Sequence, residues 1–215
     1  MNTPGHEPQR PATKVFCIGF NKTGTTSLRV ALEELGYTLG NQPEAEMFVD
    51  DWACRKFARI IDYCAGADAF QDIPFSLPFT YQALDAAFPD SKFILTVRRN
   101  SETWYRSLTT FHANLFNAGK IPSEEDLAHA VYRFQGWALL VMQKVYAFPK
   151  GDPYNTDCLV RAYESHNAMV QEYFRHRPED LLILDLTADD SYERFCHFLG
   201  KEPQRSVFPW ENKTS

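Results

Sequence analysis

The chain has 215 residues, of which 44% are hydrophobic and 23% are charged, and its formal net charge is −6 at pH 7. These proportions are ordinary for a folded globular protein and exclude a disordered or fibrous chain. The acidic balance argues against a protein that binds a nucleic-acid backbone, because such proteins usually carry a basic surface. A local basic pocket for one small anionic ligand remains compatible with it.

The sequence gives no sign of a membrane span, a secretory signal or a metal site. No stretch approaches the roughly 20 consecutive apolar residues that a spanning helix needs. Residues 1–13 are polar and proline-rich, so we expect a disordered tail before a single domain over residues 14–215. The five cysteines are scattered without a CxxC pair, and the histidines show no metal-binding spacing. This usage favours a reducing, cytoplasmic compartment.

Short apolar runs that alternate with helical patterns predict the fold class. Buried strands are predicted over residues 14–18, 67–70, 92–97 and 180–186. Helices are predicted over residues 28–35, 44–64, 77–88, 101–117, 124–147, 155–175 and 190–200. The alternation favours a three-layer α/β/α domain with a mostly parallel central sheet. Ligands of such sheets bind beyond the carboxyl ends of the strands, so we expect the loops at residues 19–26, 71–75 and 98–101 to meet.

The segment GFNKTGTT, residues 19–26, lies where a phosphate-binding loop would join the first strand to the first helix. The unpaired N–H groups of a helix N-terminus suit an anion, and Gly24 permits close approach of the backbone. The nucleoside-triphosphatase loop, GxxxxGK[ST], places a lysine where Thr25 stands here. In this chain Lys22 precedes the second glycine instead, and no convincing acidic partner for a metal is visible. This pattern favours a shorter phosphate chain whose leaving group a lysine neutralises without metal.

The loop FNKTGTTSL resembles the 5′-phosphosulfate-binding loop of sulfotransferases that use 3′-phosphoadenosine 5′-phosphosulfate (PAPS). The family motif is close to PKxGTT, and Asn21 replaces its proline. The resemblance implies a fold like that of P-loop nucleoside triphosphatases, with PAPS as co-substrate and no metal. An ordinary glycine-containing turn is the alternative for the loop alone. The residues implied to bind PAPS here are Asn21, Lys22, Thr23, Gly24, Thr25, Thr26 and Ser27.

A second motif follows the strand at residues 92–97. The family binds the 3′-phosphate with an arginine at the strand end and a serine eight residues later, and Arg99 and Ser107 match that spacing. A guanidinium supplies paired donors to a phosphate, and a serine hydroxyl adds another. Arg98 is the rival for this role, and a solvated arginine pair is the alternative for both.

The C-terminal segment, FCHFLG followed by FPWEN, resembles that of a branch of small, largely microbial sulfotransferases. Larger members of the family close the nucleotide site with a basic RKG segment, which this sequence lacks. Lys201, Arg205 and Lys213 are the candidates to replace it.

The resemblance also implies the mechanism. Lys22 would stabilise the bridging oxygen of the departing nucleotide while a base takes the acceptor's proton. Many members place a histidine at the base position, shortly before a proline, and Asp72 stands there in this chain. A turn before Ile73-Pro74 is the alternative role for Asp72. His112 and His166 are the fallback bases.

Three functions are therefore compared. The preferred one is transfer of a sulfuryl group from PAPS to a hydroxyl or amine of a small, partly apolar acceptor bound by helices within residues 44–64 and 111–175. The alternatives are a P-loop-type nucleotide kinase and a non-catalytic nucleotide-binding module. The position of Lys22 counts against the kinase.

Overall fold

The computed structural model describes residues 13–209, so all but Thr13 of the predicted tail lies outside the described residues. Four strands form its sheet: β1 (Val15–Cys17), β2 (Ala69–Gln71), β3 (Lys92–Thr96) and β4 (Leu181–Leu184). Their order is β2-β1-β3-β4, and each neighbouring pair runs parallel. Each of the predicted strands is present, within a few residues of its predicted ends.

The described residues form ten α-helices around this sheet. They are α1 (Thr25–Glu34), α2 (Gln42–Ala45), α3 (Val49–Ala53), α4 (Ala58–Tyr63), α5 (Thr80–Ala87), α6 (Ser101–Phe116), α7 (Glu124–His129), α8 (Trp137–Tyr146), α9 (Thr156–Tyr173) and α10 (Ser191–Phe198). Short 3₁₀ turns lie at Glu46–Phe48 and Cys64–Gly66. None of the described helices combines the length and the apolar character that crossing a membrane requires.

The sheet is covered on both faces, which explains the continuous apolar character of its strands. On one face Phe16 lies in register between Phe70 and Phe93, with ring centroids 5.5 Å apart in both pairs. This face packs against α5, α6, α8 and α9. The other face, which includes Val15 and Cys17, packs against α1 and α10. The predicted three-layer α/β/α fold is confirmed.

The segment 44–64, predicted as one helix, is interrupted. It forms α2, a 3₁₀ turn, α3 and α4, with a break after Ala53. Arg55 has a φ of 58° in that break, a left-handed conformation that a helix cannot continue through. The apolar periodicity was still informative, because Trp52 and Ile60 are buried in the core.

The segment 124–147, also predicted as one helix, is divided into α7 and α8 by the connection 130–136. Gly136 has a φ of 81° and begins α8. Val131 and Phe134, whose spacing would place them on the apolar face of one long helix, are 77% and 39% exposed. The division has a consequence for the site, because the connection carries Tyr132 and Arg133 to the carboxyl edge of the sheet.

The turn after β1 lies unusually close to β3. A Cβ on Gly19 would be 2.2 Å from Thr96 Oγ1 and 2.3 Å from the Thr96 carbonyl oxygen, so only glycine fits. This approach fixes where the following loop leaves the sheet.

Candidate functional site

The loop between β1 and α1 bends through two residues with positive φ. Lys22 has a φ of 67°, and Gly24, the N-cap of α1, has a φ of 102°. A Cβ on Gly24 would also lie 2.8 Å from Leu186 Cδ2. Within residues 13–209, no side chain caps α1 and no acidic residue lies in its first turn. The start of α1 is therefore suited to a bound anion, as the motif predicts.

Thr23 braces the loop from inside. Its side chain is buried, with 1% exposure, and its hydroxyl donates to the Phe20 carbonyl at 2.5 Å. The same hydroxyl lies 2.6 Å from Thr96 Oγ1 on β3. The Thr23 side chain is thus committed to the loop's own structure.

Residues that follow β3 hold the loop from outside. Arg98 Nε donates to the Lys22 carbonyl at 2.7 Å, and Trp104 Nε1 donates to the Asn21 carbonyl at 3.0 Å. The Arg98 N–H donates to the Tyr163 hydroxyl at 2.9 Å, and the Tyr163 ring stacks on Trp104 with centroids 4.5 Å apart. The backbone of Asn21 and Lys22 is therefore held by Trp104 of α6 and by Arg98, and the loops after β1 and β3 meet as predicted.

The Lys22 ammonium lies in a cleft, and within residues 13–209 its Nζ donates no hydrogen bond to another side chain or carbonyl. Its Nζ is 3.5 Å from the centroid of the Phe111 ring, a cation–π contact. Burial lowers the pKa of Lys22 to about 8; the charge of Asp72 opposes this shift, and that of Arg98 adds to it. Lys22 is still mostly protonated at pH 7, but its charge is poorly compensated. A bound anion would supply the missing compensation.

Asp72 directly follows β2 and lies beside the start of α1. Its φ is 60°, and its Oδ1 accepts the Ile73 N–H at 2.9 Å. Its Oδ2 accepts the Thr25 hydroxyl at 3.1 Å. Burial raises the pKa of Asp72, while the bonds from Ile73 and Thr25 and the charge of Lys22 hold it down. The Asp72 carbonyl also accepts the Ser76 N–H at 2.9 Å, so the residue shapes a turn as well as facing the cleft.

A cavity of about 240 Å³ opens at this point. The loop, the first turns of α1 and the end of β2 form one side of it, and α2, α6 and the connection 130–136 form the other. It is lined by Asn21, Lys22, Thr25, Thr26, Arg29, Gln42, Glu46, Gln71, Asp72, Ile73, Phe111, His112, Leu115, Phe116, Tyr132, Arg133 and Trp137. Lys22 and Asp72, 50 residues apart in sequence, thus face one space.

A narrow recess of about 30 Å³ adjoins the cavity and shares several of its lining residues. Residues of α8 line it, among them the apolar side chains of Val141 and Met142. Apolar side chains therefore line part of this space.

The two fallback histidines differ in position. His112 lines the cavity, and its Nδ1 lies 2.9 Å from the Tyr154 hydroxyl. Burial, with a smaller effect of the Lys22 charge, lowers the pKa of His112 to about 3, so its ring is neutral. His166 is buried under the loop, where its Nε2 donates to the Ile18 carbonyl at 2.8 Å. His166 therefore supports the loop and lies away from the residues that line the cavity.

The two candidate 3′-phosphate residues lie on the β3–α6 side of the loop. Arg99 is exposed at the end of β3, and Ser107 is half-buried in the second turn of α6. Arg98 is half-buried and bound to the loop. Arg99 and Arg98 are thus in different environments, one available to a solvent-borne ligand and one already holding Lys22.

The basic residues considered as substitutes for the RKG segment lie elsewhere. Arg205 pairs with Glu34, the last residue of α1, and Lys201 lies 5.3 Å from the ring centroid of Tyr37. That end of α1 is roughly 15 Å from its N-terminus, at 1.5 Å per residue. Both residues therefore lie near the end of α1 that is distant from the loop, and Lys213 lies outside the described residues.

Sequence reasoning missed one ionic pair in the cavity wall. Glu46, in the 3₁₀ turn after α2, is 5% exposed and accepts a hydrogen bond from Arg133 Nε. Burial and the charge of Asp72 raise the pKa of Glu46, and Arg133 opposes the shift. The two residues are 87 positions apart, so no local motif connects them.

The family model described as a sulfotransferase domain matches residues 14–215. The chain belongs to the sulfotransferase family. Among curated protein sequences none matches it significantly. Within residues 13–209 of this sulfotransferase, no group of three or more His, Cys, Asp or Glu side chains is placed to hold a metal ion.

The fold of this sulfotransferase is similar to that of a solved structure, the sulfotransferase from Alicyclobacillus acidocaldarius. The TM-score is 0.55 at 16% sequence identity, and the match covers 94% of this chain and 87% of the other. At that identity the likeness concerns the fold, and the site must be argued from this chain's own residues.

Proposed function

We propose that this sulfotransferase moves a sulfuryl group from PAPS to a hydroxyl or amine of a small-molecule acceptor by in-line transfer. The observation that carries the proposal is the pairing of Lys22 and Asp72 across one cavity at the start of α1. An ammonium with little compensation and a carboxylate with a raised pKa are the two groups that such a transfer needs.

The donor would bind at the N-terminus of α1. Backbone N–H groups there, with the hydroxyls of Thr25, Thr26 and Ser27, would hold the 5′-phosphosulfate, and Asn21 and Gly24 would shape the turn around it. This fits the absence of any side-chain cap on α1 among the described residues.

Arg99 and Ser107 would bind the 3′-phosphate. Arg99 is exposed and Ser107 is on α6, which begins directly after the loop that follows β3. Arg98 would act indirectly, because its guanidinium holds the Lys22 carbonyl.

The reaction breaks one sulfur–oxygen bond and makes another. The acceptor oxygen or nitrogen attacks sulfur and transfers its proton to the Asp72 carboxylate. The bond from sulfur to the bridging oxygen of PAPS breaks, and both of its electrons go to that oxygen, which Lys22 stabilises. The products are the sulfated acceptor and 3′-phosphoadenosine 5′-phosphate. The protein acts through position and charge.

The Thr25–Asp72 contact also bears on the kinase alternative. It puts a carboxylate next to a loop hydroxyl, at 3.1 Å, which is the kind of pair that holds magnesium in triphosphatases. The lysine that follows the second glycine in those loops is still replaced by Thr25. We therefore retain the sulfuryl donor as the better match.

Calorimetry separates the donors. The protein is titrated with 3′-phosphoadenosine 5′-phosphate and, separately, with ATP plus magnesium. The proposal expects the first to bind at least tenfold more tightly, and tighter binding of ATP with magnesium refutes it. A binding module is distinguished by the absence of transfer from PAPS to any acceptor despite tight nucleotide binding.

The five cysteines of the chain are all free thiols within the described residues. This supports the proposal of a reducing, cytoplasmic location. Fractionation of the source cells with an antibody to the protein tests it.

A further inference from the structure

We propose that the acceptor is an uncharged polyhydroxylated ring of the sugar or cyclitol class. The inference rests on the proposed function, because it names the molecule that the same cavity would present to the donor. It follows from the two unlike walls of the cavity and from the balance of charge between them.

The first wall is built of hydrogen-bonding groups held in place. Glu46 accepts from Arg133 Nε with one oxygen and from Gln42 Nε2, at 3.3 Å, with the other. Gln42 Nε2 also donates to the Ile73 carbonyl at 2.8 Å. A 3₁₀ turn, a helix and the connection 130–136 thus fix one carboxylate, one guanidinium and one amide along the cavity.

These groups keep hydrogen-bonding capacity toward the cavity. A guanidinium has five N–H donors. Within residues 13–209, Arg133 uses one on Glu46 and makes one long contact of 3.4 Å to the Tyr132 hydroxyl. The guanidinium can donate to, and the adjacent carboxylate can accept from, two neighbouring hydroxyls of a bound acceptor. An acceptor without hydroxyls here would leave partly desolvated polar groups unpaired, at about 1–3 kcal/mol each.

The charges of the cavity cancel in pairs, which favours an uncharged acceptor. Arg133 is paired with Glu46, and Arg29, which also lines the cavity, is paired with Glu33 on α1 at 2.7 Å. Lys22 is assigned to the donor and Asp72 to the acceptor's proton. A carboxylate or ammonium on the acceptor would therefore be desolvated without a counter-charge.

The second wall is aromatic and contiguous. The ring centroids of Phe116 and Tyr132 are 6.2 Å apart, and those of Tyr132 and Trp137 are 5.1 Å apart. A sugar ring carries C–H groups on its faces and hydroxyls at its edge, so it matches an aromatic wall and a polar wall together. A simple phenol matches the aromatic wall but brings only one hydroxyl to the polar one.

The test measures transfer of sulfur-35 from labelled PAPS to two groups of acceptors. The polyols are methyl glucopyranoside, methyl galactopyranoside and myo-inositol; the others are 4-nitrophenol, 2-naphthol and benzylamine. Wild type is compared with Glu46→Gln and with a matched control, Asp51→Asn. Asp51 forms an ion pair with Arg59 at 2.7 Å on helices that contribute nothing to the cavity lining.

The expected result is that a polyol has the highest kcat/KM and that Glu46→Gln raises its KM about tenfold, which corresponds to about 1.4 kcal/mol. kcat and the Kd of 3′-phosphoadenosine 5′-phosphate should stay within about twofold, and Asp51→Asn should behave as wild type. If Glu46→Gln fails to fold, as judged by circular dichroism, Arg133→Lys replaces it. That variant keeps the charge but loses the planar edge, and the same rise in KM is expected.

Three results overturn the inference. One is a phenol or amine preferred over every polyol; another is an unchanged polyol KM in the variant; the third is the absence of label in all polyols. If the wild type binds 3′-phosphoadenosine 5′-phosphate and transfers label to any acceptor in these cases, the acceptor class is wrong and the proposed function stands. If it does not bind that nucleotide, the proposed function itself fails.

Discussion

The affinity for the desulfo nucleotide should fall as pH rises through about 8. Lys22 lies in the loop proposed to hold the phosphosulfate, and burial lowers its pKa to about 8. A lysine with a lowered pKa is charged below that value and neutral above it. Binding that needs the ammonium is therefore fully present at pH 7 and is progressively lost at higher pH.

The size of the effect follows from this pKa. The protonated fraction of Lys22 is about 0.9 at pH 7 and about 0.1 at pH 9, so the Kd should increase about tenfold between them. That change is about 1.4 kcal/mol of binding free energy. The 5′-phosphate of the ligand, with a pKa near 6, changes its charge little over this range.

Calorimetry from pH 6.5 to pH 9.5 measures this dependence on the intact chain. Lys22→Arg provides the control, because a guanidinium stays charged throughout and should give a flat profile. A wild-type Kd that is constant across pH 8, or a Lys22→Arg profile with the same slope, would refute the assignment of Lys22 to the nucleotide phosphate.

Three further predictions concern the base, the 3′-phosphate and the fold. Asp72→Asn should lower kcat about 100-fold or more and leave the Kd of 3′-phosphoadenosine 5′-phosphate within twofold; an unchanged kcat removes Asp72 as the base. Arg99→Ala should weaken binding of 3′-phosphoadenosine 5′-phosphate by about 2 kcal/mol and leave binding of adenosine 5′-phosphate unchanged. Arg98→Ala removes the hydrogen bond to the Lys22 carbonyl, so it should weaken binding of both nucleotides. If the two variants show the opposite effects, the roles assigned to Arg98 and Arg99 are exchanged. Gly19→Ala should lower the free energy of unfolding, measured in urea, by about 3 kcal/mol because its Cβ would lie 2.3 Å from the β3 backbone. Gly66→Ala, where a Cβ would meet open space, should leave that free energy unchanged. Equal destabilisation of both variants would contradict the packing argument.

The sheet was predictable from sequence because buried parallel strands have a direct signature. Apolar runs such as KFILTV match strands covered on both faces, and each of the four predicted runs overlaps one of the four strands. The position of the loop at residues 19–26 was also predictable, because its glycines and Lys22 lie between a strand pattern and a helix pattern.

The two interrupted helices were not predictable from periodicity alone. Apolar residues at helical spacing occur on both sides of Arg55 and of Gly136, and the left-handed conformations at those positions depend on packing. The breaks matter because they determine what reaches the cavity. Glu46 and Arg133 come from the interrupted segments, so their pairing needed the three-dimensional fold.

Asp72 shows the same division between local and distant information. Its place after β2 and before a proline was visible in the sequence. The hydrogen bond that its carboxylate accepts from Thr25, 47 positions away, was not visible in the sequence. This contact places the carboxylate beside the start of α1.

Transfer of the labelled group itself tests the central claim most directly. The full chain is incubated with sulfur-35 PAPS and the acceptor panel, and in parallel with γ-phosphorus-32 ATP and magnesium. The account predicts sulfur-35 in an acceptor with wild type, none with Lys22→Met, and no transfer of phosphorus-32. Phosphorus-32 in an acceptor, or sulfur-35 transfer that survives Lys22→Met at the wild-type rate, would contradict it.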